Sequence, residues 1–360
     1  MEFDQIIDKA RRKGRGAGFN PPNRFDRLET RLEADGWDRE EDLPPLRTEV
    51  TLERPRSVIT RNASPDLGFD RSINPYRGCE HGCIYCFARP SHAYLGLSPG
   101  LEFETRLMAR PEAPDLLARE LSRKGYVPAC IAIGTNTDPY QPIEKDWKIM
   151  RGLLQVLGEF RHPVGIVTKG TLIERDIDLI ADMAAQGLAK VGVSITTLDA
   201  RLARAMEPRV PSPVRRLQII ERLAAAGIPV RLMASPIVPG LTDHEIERIV
   251  AAGARAGATG ASMIALRLPL EVAPLFRAWL AEHLPDRAGR VMARVKELHG
   301  GREYSANWGQ RMTGTGVYAD LMQQRFARAV KAAGLRRRMV PLRTDLFRVP
   351  PRPGDQLSLF

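Results

Sequence analysis

The sequence predicts an α/β fold of parallel βα units, and three observations carry that prediction. From about residue 70 onward, six short apolar runs fall at 72–76, 130–134, 164–168, 191–196, 230–236 and 262–267, alternating with helical patterns at 114–124, 144–159, 174–186, 213–226 and 243–256. Within the second of these helices, Ile149, Met150, Leu153, Leu154 and Leu157 form an i, i+3/i+4, i+7 stripe suited to packing on a sheet. Punctuation agrees: Thr242-Asp243-His244-Glu245 reads as a helix start, and Gly227 after Ala224-Ala225-Ala226 as a stop. Strands that alternate with helices in this way argue for parallel βα units.

The composition changes around that core. Residues 1–55 are polar, basic and rich in Gly, Pro and Arg, as in Gly14-Arg15-Gly16-Ala17-Gly18 and Asn20-Pro21-Pro22-Asn23. Such a stretch buries little apolar surface and is expected to be an extension, partly disordered or draped over the main domain. The core is expected over residues 56–285, a small helical region over 286–345, and a tether with a tail over 346–360. In the helical region Tyr318, Leu321, Met322, Phe326 and Val330 mark an amphipathic helix that stops at Gly334. Before it, the glycine-rich stretch Trp308-Gly309-Gln310-Arg311-Met312-Thr313-Gly314-Thr315-Gly316 has two readings. Trp308 and Arg311 contact a substrate base or phosphate, or the stretch is a turn with Trp308 anchored in the core.

Three of the four cysteines lie within eight residues: Cys79, Cys83 and Cys86 in Gly78-Cys79-Glu80-His81-Gly82-Cys83-Ile84-Tyr85-Cys86-Phe87. Thiolates are soft donors that suit iron–sulfur clusters or zinc. A cubane cluster held by three thiolates keeps one iron open, and an open position separates a centre that does chemistry from one that braces a fold. A disulfide framework suits neither a long chain without a visible secretion signal nor cysteines this close together. Zinc would need a fourth ligand, for which His81 and His92 are the nearby candidates.

The C-x3-C-x2-C spacing, with Tyr85 just before the last cysteine, resembles the signature of radical S-adenosylmethionine (radical SAM) enzymes. The resemblance covers about residues 57–270 and implies a partial (βα)6 TIM-type barrel, with the cysteine loop directly after strand one. Active sites in such barrels are built on the loops after the strand C-termini. Two cofactors are implied: a 4Fe–4S cluster on Cys79, Cys83 and Cys86, and SAM, whose amino and carboxylate groups chelate the open iron. An electron from a reducing donor then cleaves SAM to a 5′-deoxyadenosyl radical.

Further residues resemble the spore photoproduct lyase branch of that family. The second strand ends in Gly134-Thr135-Asn136-Thr137-Asp138-Pro139-Tyr140-Gln141-Pro142, at the position where the family binds the SAM amino group, often through Gly-Gly-Glu. Thr135, Asn136 and Asp138 are therefore cofactor candidates; the alternative is a proline-ended turn with Asp138 as a helix cap. Lys169, in Thr168-Lys169-Gly170 at the end of strand three, can pair with the SAM carboxylate as a cation. Ser194 and Thr196 alternate onto one face of strand four, where hydroxyls suit ribose or carboxylate, or else serve structural hydrogen bonds. Tyr85 completes the cofactor candidates. Arg77, in Asn74-Pro75-Tyr76-Arg77, is placed to tune the cluster's charge, and residues 235–240 are expected near adenine. The lyase's use of a cysteine thiol to quench its product radical is not carried over. No cysteine follows Cys130, and Cys130 itself opens the predicted second strand, where a small buried residue is the default.

The formal net charge is +11, concentrated at the two ends of the chain, as in Lys9-Ala10-Arg11-Arg12-Lys13-Gly14-Arg15 and Arg336-Arg337-Arg338. Basic arms of this kind suit contact with nucleic acid, with a solubilising surface as the alternative. No apolar run reaches the roughly 18 residues of a membrane span and no signal peptide is visible, so a reducing cytoplasm is the expected compartment. After a proline-rich tether, Gln356-Leu357-Ser358-Leu359-Phe360 resembles the peptide by which bacterial repair proteins bind the DNA sliding clamp; Gln356, Leu357, Leu359 and Phe360 would make that contact. The expected function is a radical SAM enzyme acting on DNA bases, repair-lyase-like. The alternatives are modification of RNA or protein, and a non-catalytic iron–sulfur protein that binds nucleic acid.

Overall fold

Alternating burial along the strands shows how the chain divides its side chains between a helix-covered face and the interior of the sheet's curl. The computed structural model describes residues 6–26 and 44–351. Strands β1 (Glu49–Leu52), β2 (Thr60–Arg61), β3 (Arg71–Ile73) and β4 (Tyr76–Arg77) come first, followed by α1 (Glu102–Thr105), β5 (Arg106–Ala109) and α2 (Ala113–Leu121). Then come β6 (Ile131–Ile133) with α3 (Glu144–Trp147) and α4 (Ile149–Glu159), and β7 (Val164–Thr168) with α5 (Ile177–Ala185). Next are β8 (Ala189–Ser194) with α6 (Ala200–Met206) and α7 (Pro213–Ala225), and β9 (Val230–Ile237) with α8 (Ile246–Arg255). The last strand, β10 (Gly260–Ala265), leads to α9 (Val272–His283), α10 (Pro285–Leu298) and α11 (Val317–Ala332).

Strands β3, β6, β7, β8, β9 and β10 lie side by side in chain order and pair in parallel, with β2 antiparallel at the β3 edge. Among the described residues β10 does not pair back onto β2 or β3, so the sheet is a barrel left open on one side. Strands β1, β5 and β4 form a separate small sheet beside it. The apolar stripe of α4 does what its spacing predicts: Ile149, Met150, Leu153, Leu154 and Leu157 are all buried. On β9, Val230, Leu232 and Ala234 join this helix-facing core, while Arg231, Met233 and Ser235 take the opposite face. On β8 the inner position is Gly192, where a Cβ would lie 2.7 Å from Met233 Sδ.

Three departures from the sequence reading have local causes. The expected strand over 72–76 is split: β3 ends at Ile73, and Tyr76–Arg77 pair with β5 instead. Pro75 has no N–H to continue a ladder, and its carbonyl accepts from Arg110 N at 3.1 Å. The expected helix over 144–159 breaks at Lys148, which takes a left-handed φ of 52°. The expected strand over 262–267 begins at Gly260 and stops at Ala265, where its register against β9 shifts between Met263 and Ala265.

Past α11 the chain runs beneath the strand N-termini as a belt. Ala261 N donates to Arg336 O at 2.9 Å, Arg343 N to Gly187 O at 3.0 Å and Arg348 N to Phe160 O at 3.1 Å. Phe347 seats the belt against Tyr126, Phe160 and the edge of His162. His162 Nδ1 donates to Pro163 O, and its other nitrogen accepts from Tyr126 OH at 2.9 Å, an arrangement that needs the neutral ring. The clamp-like tail, Gln356, Leu357, Leu359 and Phe360, lies outside the described residues.

Burial lowers the pKa of His162 to about 4, and burial lowers that of His92 to about 4 as well. Each is depressed from about 6.5, so each contributes stability that is complete above pH 6.5 and is lost as pH falls through 4. The expected result is a loss of a few kcal/mol per histidine across that window, because each tenfold change in proton affinity is worth about 1.4 kcal/mol. Denaturant midpoints measured from pH 7 to 4 would check it, and His162→Gln should flatten the decline.

Candidate metal and cofactor site

The cysteine loop leaves β4 through Gly78, whose φ of 74° suits glycine and whose missing Cβ would meet Leu107 Cδ2 at 2.5 Å. Cys79 N then donates to Phe103 O at 2.9 Å, Ile84 N to Met206 O at 3.0 Å and Cys86 N to Cys83 O at 3.1 Å. Thr137 Oγ1 and Gln141 Nε2 both donate to Gly78 O, and Glu80 N donates to Gln141 Oε1 at 2.8 Å. The loop after β6 therefore staples the cysteine loop in place. Cys79 and Cys83 are buried and Cys86 is half-buried.

From the other side, Arg89 is wholly buried and donates to the carbonyls of Gly82, Cys83, Pro99 and Gly100. It also pairs with Glu104, itself wholly buried. Glu104 then accepts from Gly16 N at 2.8 Å and Ala17 N at 2.9 Å. A Cβ on Gly16 would lie 1.8 Å from Gly82 O, so the N-terminal segment lies backbone to backbone on the cysteine loop. Arg15 donates to Glu104 O, Leu46 O and Thr48 Oγ1, and Arg12 forks onto Glu282 at 2.7 and 2.8 Å. Sequence reasoning missed Arg89, Glu104 and Gln141, for which periodicity and spacing provide no signal.

The candidates beyond the thiols separate into groups. Asp138 accepts from Tyr140 N, Thr168 Oγ1 and Lys169 N, and His81 Nδ1 lies 3.3 Å from it. Burial alone would raise the Asp138 carboxyl, but His81 and these donors bring it down to about 2. Both oxygens are thus engaged by protein, and Asp138 locks the ends of β6 and β7 to the cysteine loop. Thr135 Oγ1 bonds Asn74, and Asn136 N donates to Asn74 Oδ1 at 2.9 Å, leaving the Asn136 side chain exposed. Arg77 turns away to Glu53, with an ion pair of 2.9 Å.

The Lys169 ammonium sits 6.0 Å over the Tyr85 ring and itself forms no hydrogen bond or ion pair with another described residue. Burial works against its charge, but Cys83, Glu207 and Asp138 outweigh that and raise its pKa above the usual lysine value. Tyr85 OH donates to Glu207, and Glu207 pairs with buried Arg216 at 2.7 Å. Arg216 also donates to Ser194 O at 2.9 Å. Thr196 Oγ1, Ser235 Oγ and Ser262 Oγ are buried with no hydrogen-bond partner among the described residues. Lys169, Tyr85, Ser194 and Glu207 are thus joined in one network, which Thr135 and Asn136 do not enter.

The thiols fit iron better than zinc. His81 Nδ1 lies against Asp138 and His92 Nε2 bonds Arg106 O at 2.9 Å, while His92 Nδ1 is buried with no hydrogen-bond partner among the described residues. Among the described residues no three His, Cys, Asp or Glu side chains converge to hold a single ion. A lone ion would draw its donors to about 2.3 Å, whereas a four-iron cluster spreads one thiolate to each iron. Burial pushes the Cys83 thiol up to about 12 and Cys79 well above its usual value, so thiolates there call for a cationic partner.

A model of the Radical SAM superfamily matches residues 73–252, which span the strands from β3 to β9 and all three clustered cysteines. The chain belongs to the radical SAM superfamily. Members use a 4Fe–4S cluster and SAM, and those are the cofactors of this radical SAM protein. An uncharacterised protein of Mycobacterium tuberculosis is 38% identical over 65% of this chain and 68% of its own length. One of Methanocaldococcus jannaschii is 30% identical over 48% of this chain and 62% of its own length. Among solved structures, spore photoproduct lyase complexed with dinucleoside spore photoproduct shares the fold, with a TM-score of 0.57 at 15% identity over 80% of this chain and 81% of that one. Among the described residues no helix is long and apolar enough to cross a membrane.

Two substitutions test the support of the cysteine loop. Arg89→Met leaves Glu104 buried and unpaired and should cost about 3–5 kcal/mol, read as a shift in denaturant midpoint. Gly16→Val lifts the N-terminal segment, so a reconstituted cluster should bleach in air several-fold faster than wild type while the barrel's circular dichroism is retained.

Proposed function

We propose that Cys79, Cys83 and Cys86 hold the 4Fe–4S cluster and that SAM lies beside it against Lys169, to abstract hydrogen from a nucleic-acid base, in DNA by preference. When bound, the cluster supplies the electron that cleaves SAM to methionine and a 5′-deoxyadenosyl radical. The carrying observation is the Lys169 ammonium, charged, unpaired among the described residues and lying over Tyr85 beside the thiols. It suits the SAM carboxylate as a charge-assisted partner. The buried hydroxyls of Thr196 and Ser235 suit the nucleoside part, and Tyr85, held by Glu207 and Arg216, fixes the wall between them. Asp138 and Thr135 act indirectly, by keeping the end of β6 in register with the thiol loop.

The nucleic-acid substrate rests on the +11 charge and on the fold shared with a lyase whose complex holds a dinucleoside. A sliding-clamp role for Gln356, Leu357, Leu359 and Phe360 rests on sequence alone. Anaerobic reconstitution, reduction and assay for 5′-deoxyadenosine test the chemistry. Wild type should form it and Cys83→Ala should not; an intact, reducible cluster that never yields it, with or without DNA, would sink the proposal. Lys169→Met should raise the half-saturating SAM concentration about 10- to 100-fold, on the order of 1.5–3 kcal/mol for a lost charged hydrogen bond, with the cluster's absorbance unchanged.

A further inference from the structure

Arg267 is the arginine at the barrel mouth whose surroundings are least explained by the fold. It follows β10, where Leu266 and Leu268 turn into the apolar core and Arg267 takes the alternate face. Its guanidinium carbon lies 3.9 Å over the ring of Phe87, the residue directly after Cys86. No hydrogen bond or ion pair joins it to another described residue. The fully buried arginines are all answered, Arg12 by Glu282, Arg15 by two carbonyls and Thr48, Arg71 by Asp70, Arg89 by Glu104, Arg110 by Glu53 and Arg216 by Glu207, whereas half-buried Arg267 and, on β9, Arg231 have no such partner among the described residues.

The nearby Arg311, which the sequence offered as a phosphate contact, is already spent. Its Nε donates to Asp66 at 2.5 Å and its Nη2 to Ser64, while Gly309 N donates to the other Asp66 oxygen at 2.6 Å. Ala265 N donates to Met312 O at 2.9 Å. The glycine-rich stretch thereby bridges the β10 edge to the turn between β2 and β3, across the barrel's open side. It carries Trp308 at 62% exposure, so Trp308 is not anchored in the core. Asp66, held by Gly309 and Arg311, is also one of the charges felt by Arg267, as are Cys86 and Tyr304.

An unanswered guanidinium, flattened on an aromatic ring at the edge of a metal site, with an exposed indole on the neighbouring loop, is the donor set of a polynucleotide groove. Arginine presents a planar fork that matches phosphate oxygens, and an indole face stacks on any base. We propose that Arg267 binds a backbone phosphate of a single nucleic-acid strand beside the cluster, with Phe87 fixing the guanidinium plane and Trp308 stacking on a base. This inference rests on the nucleic-acid reading of the function.

The test is fluorescence anisotropy of a labelled single-stranded oligonucleotide against cluster-loaded, full-length protein over a series of salt concentrations. Arg267→Gln should weaken binding about tenfold, whatever the base sequence, and reduce the slope of log K against log salt by about 0.7, as for one lost phosphate contact. Arg267→Lys should keep the slope but weaken binding several-fold, because lysine retains the charge and loses the planar fork, and that loss decides the question if the glutamine variant does not fold. Trp308→Ala should weaken binding with the slope unchanged. Wild-type affinity and slope in both Arg267 variants would overturn the inference while leaving the nucleic-acid reading intact. A wild-type protein that binds no oligonucleotide would overturn both.

Discussion

The buried carboxylate of Glu104 is the point on which the cysteine loop turns. It joins three segments distant in sequence: the strap at Gly16 and Ala17, the guanidinium of Arg89, and α1, to which it belongs. Arg89 spreads the effect by gripping four carbonyls of the loop and its continuation. A buried ion pair is weak evidence for stability in itself, because desolvation offsets much of the attraction. Its value here is geometric: the carbonyls must point at Arg89, and the thiols then have little freedom in where they point.

A second layer of control is the uneven pairing of charge. In the supporting shell, positive groups are matched, as Arg216 with Glu207 and Arg175 with Glu144 and Asp176. At the mouth they are not, and Lys169 and Arg267 keep open valences on either side of the thiols. Both are half-buried, so water can reach them until a ligand does, and the mouth keeps two cations free to meet an anion. Lys169 lies over Tyr85 and Arg267 over Phe87, the residues on either side of Cys86; in the proposed reading the first serves the cofactor and the second the substrate.

Much of the scaffold was legible because period and punctuation are local signals. Val164–Thr168 alternates cleanly and appears as β7 with the expected bounds, and the α4 stripe buries as a unit. The thiol spacing was equally readable, since three soft ligands in one turn have few other uses. What stayed hidden depends on contacts between remote residues: Gly16 meets Glu104 across 88 positions, and Arg12 meets Glu282 across 270. The N-terminal composition suggested little burial, yet Arg12, Arg15, Ala17 and Asn23 are buried, because the strap uses backbone donors and guanidinium forks in place of apolar mass. Asp138 was legible as an important position but not as a brace. Its four neighbours come from the cysteine loop, its own turn and the end of β7.

The strap also orders events in time. Arg12 leaves the ribosome 270 residues before its anchor, Glu282. At 5–20 residues per second, roughly 10–50 s separate the two. Over the last 196 residues of that interval, from Cys86 to Glu282, the cysteines are already synthesised while Arg12 cannot yet be fastened to α9. The loop that carries the thiols is thus complete well before its outermost fastening can form, and the order of synthesis leaves the Arg12–Glu282 contact among the last to close.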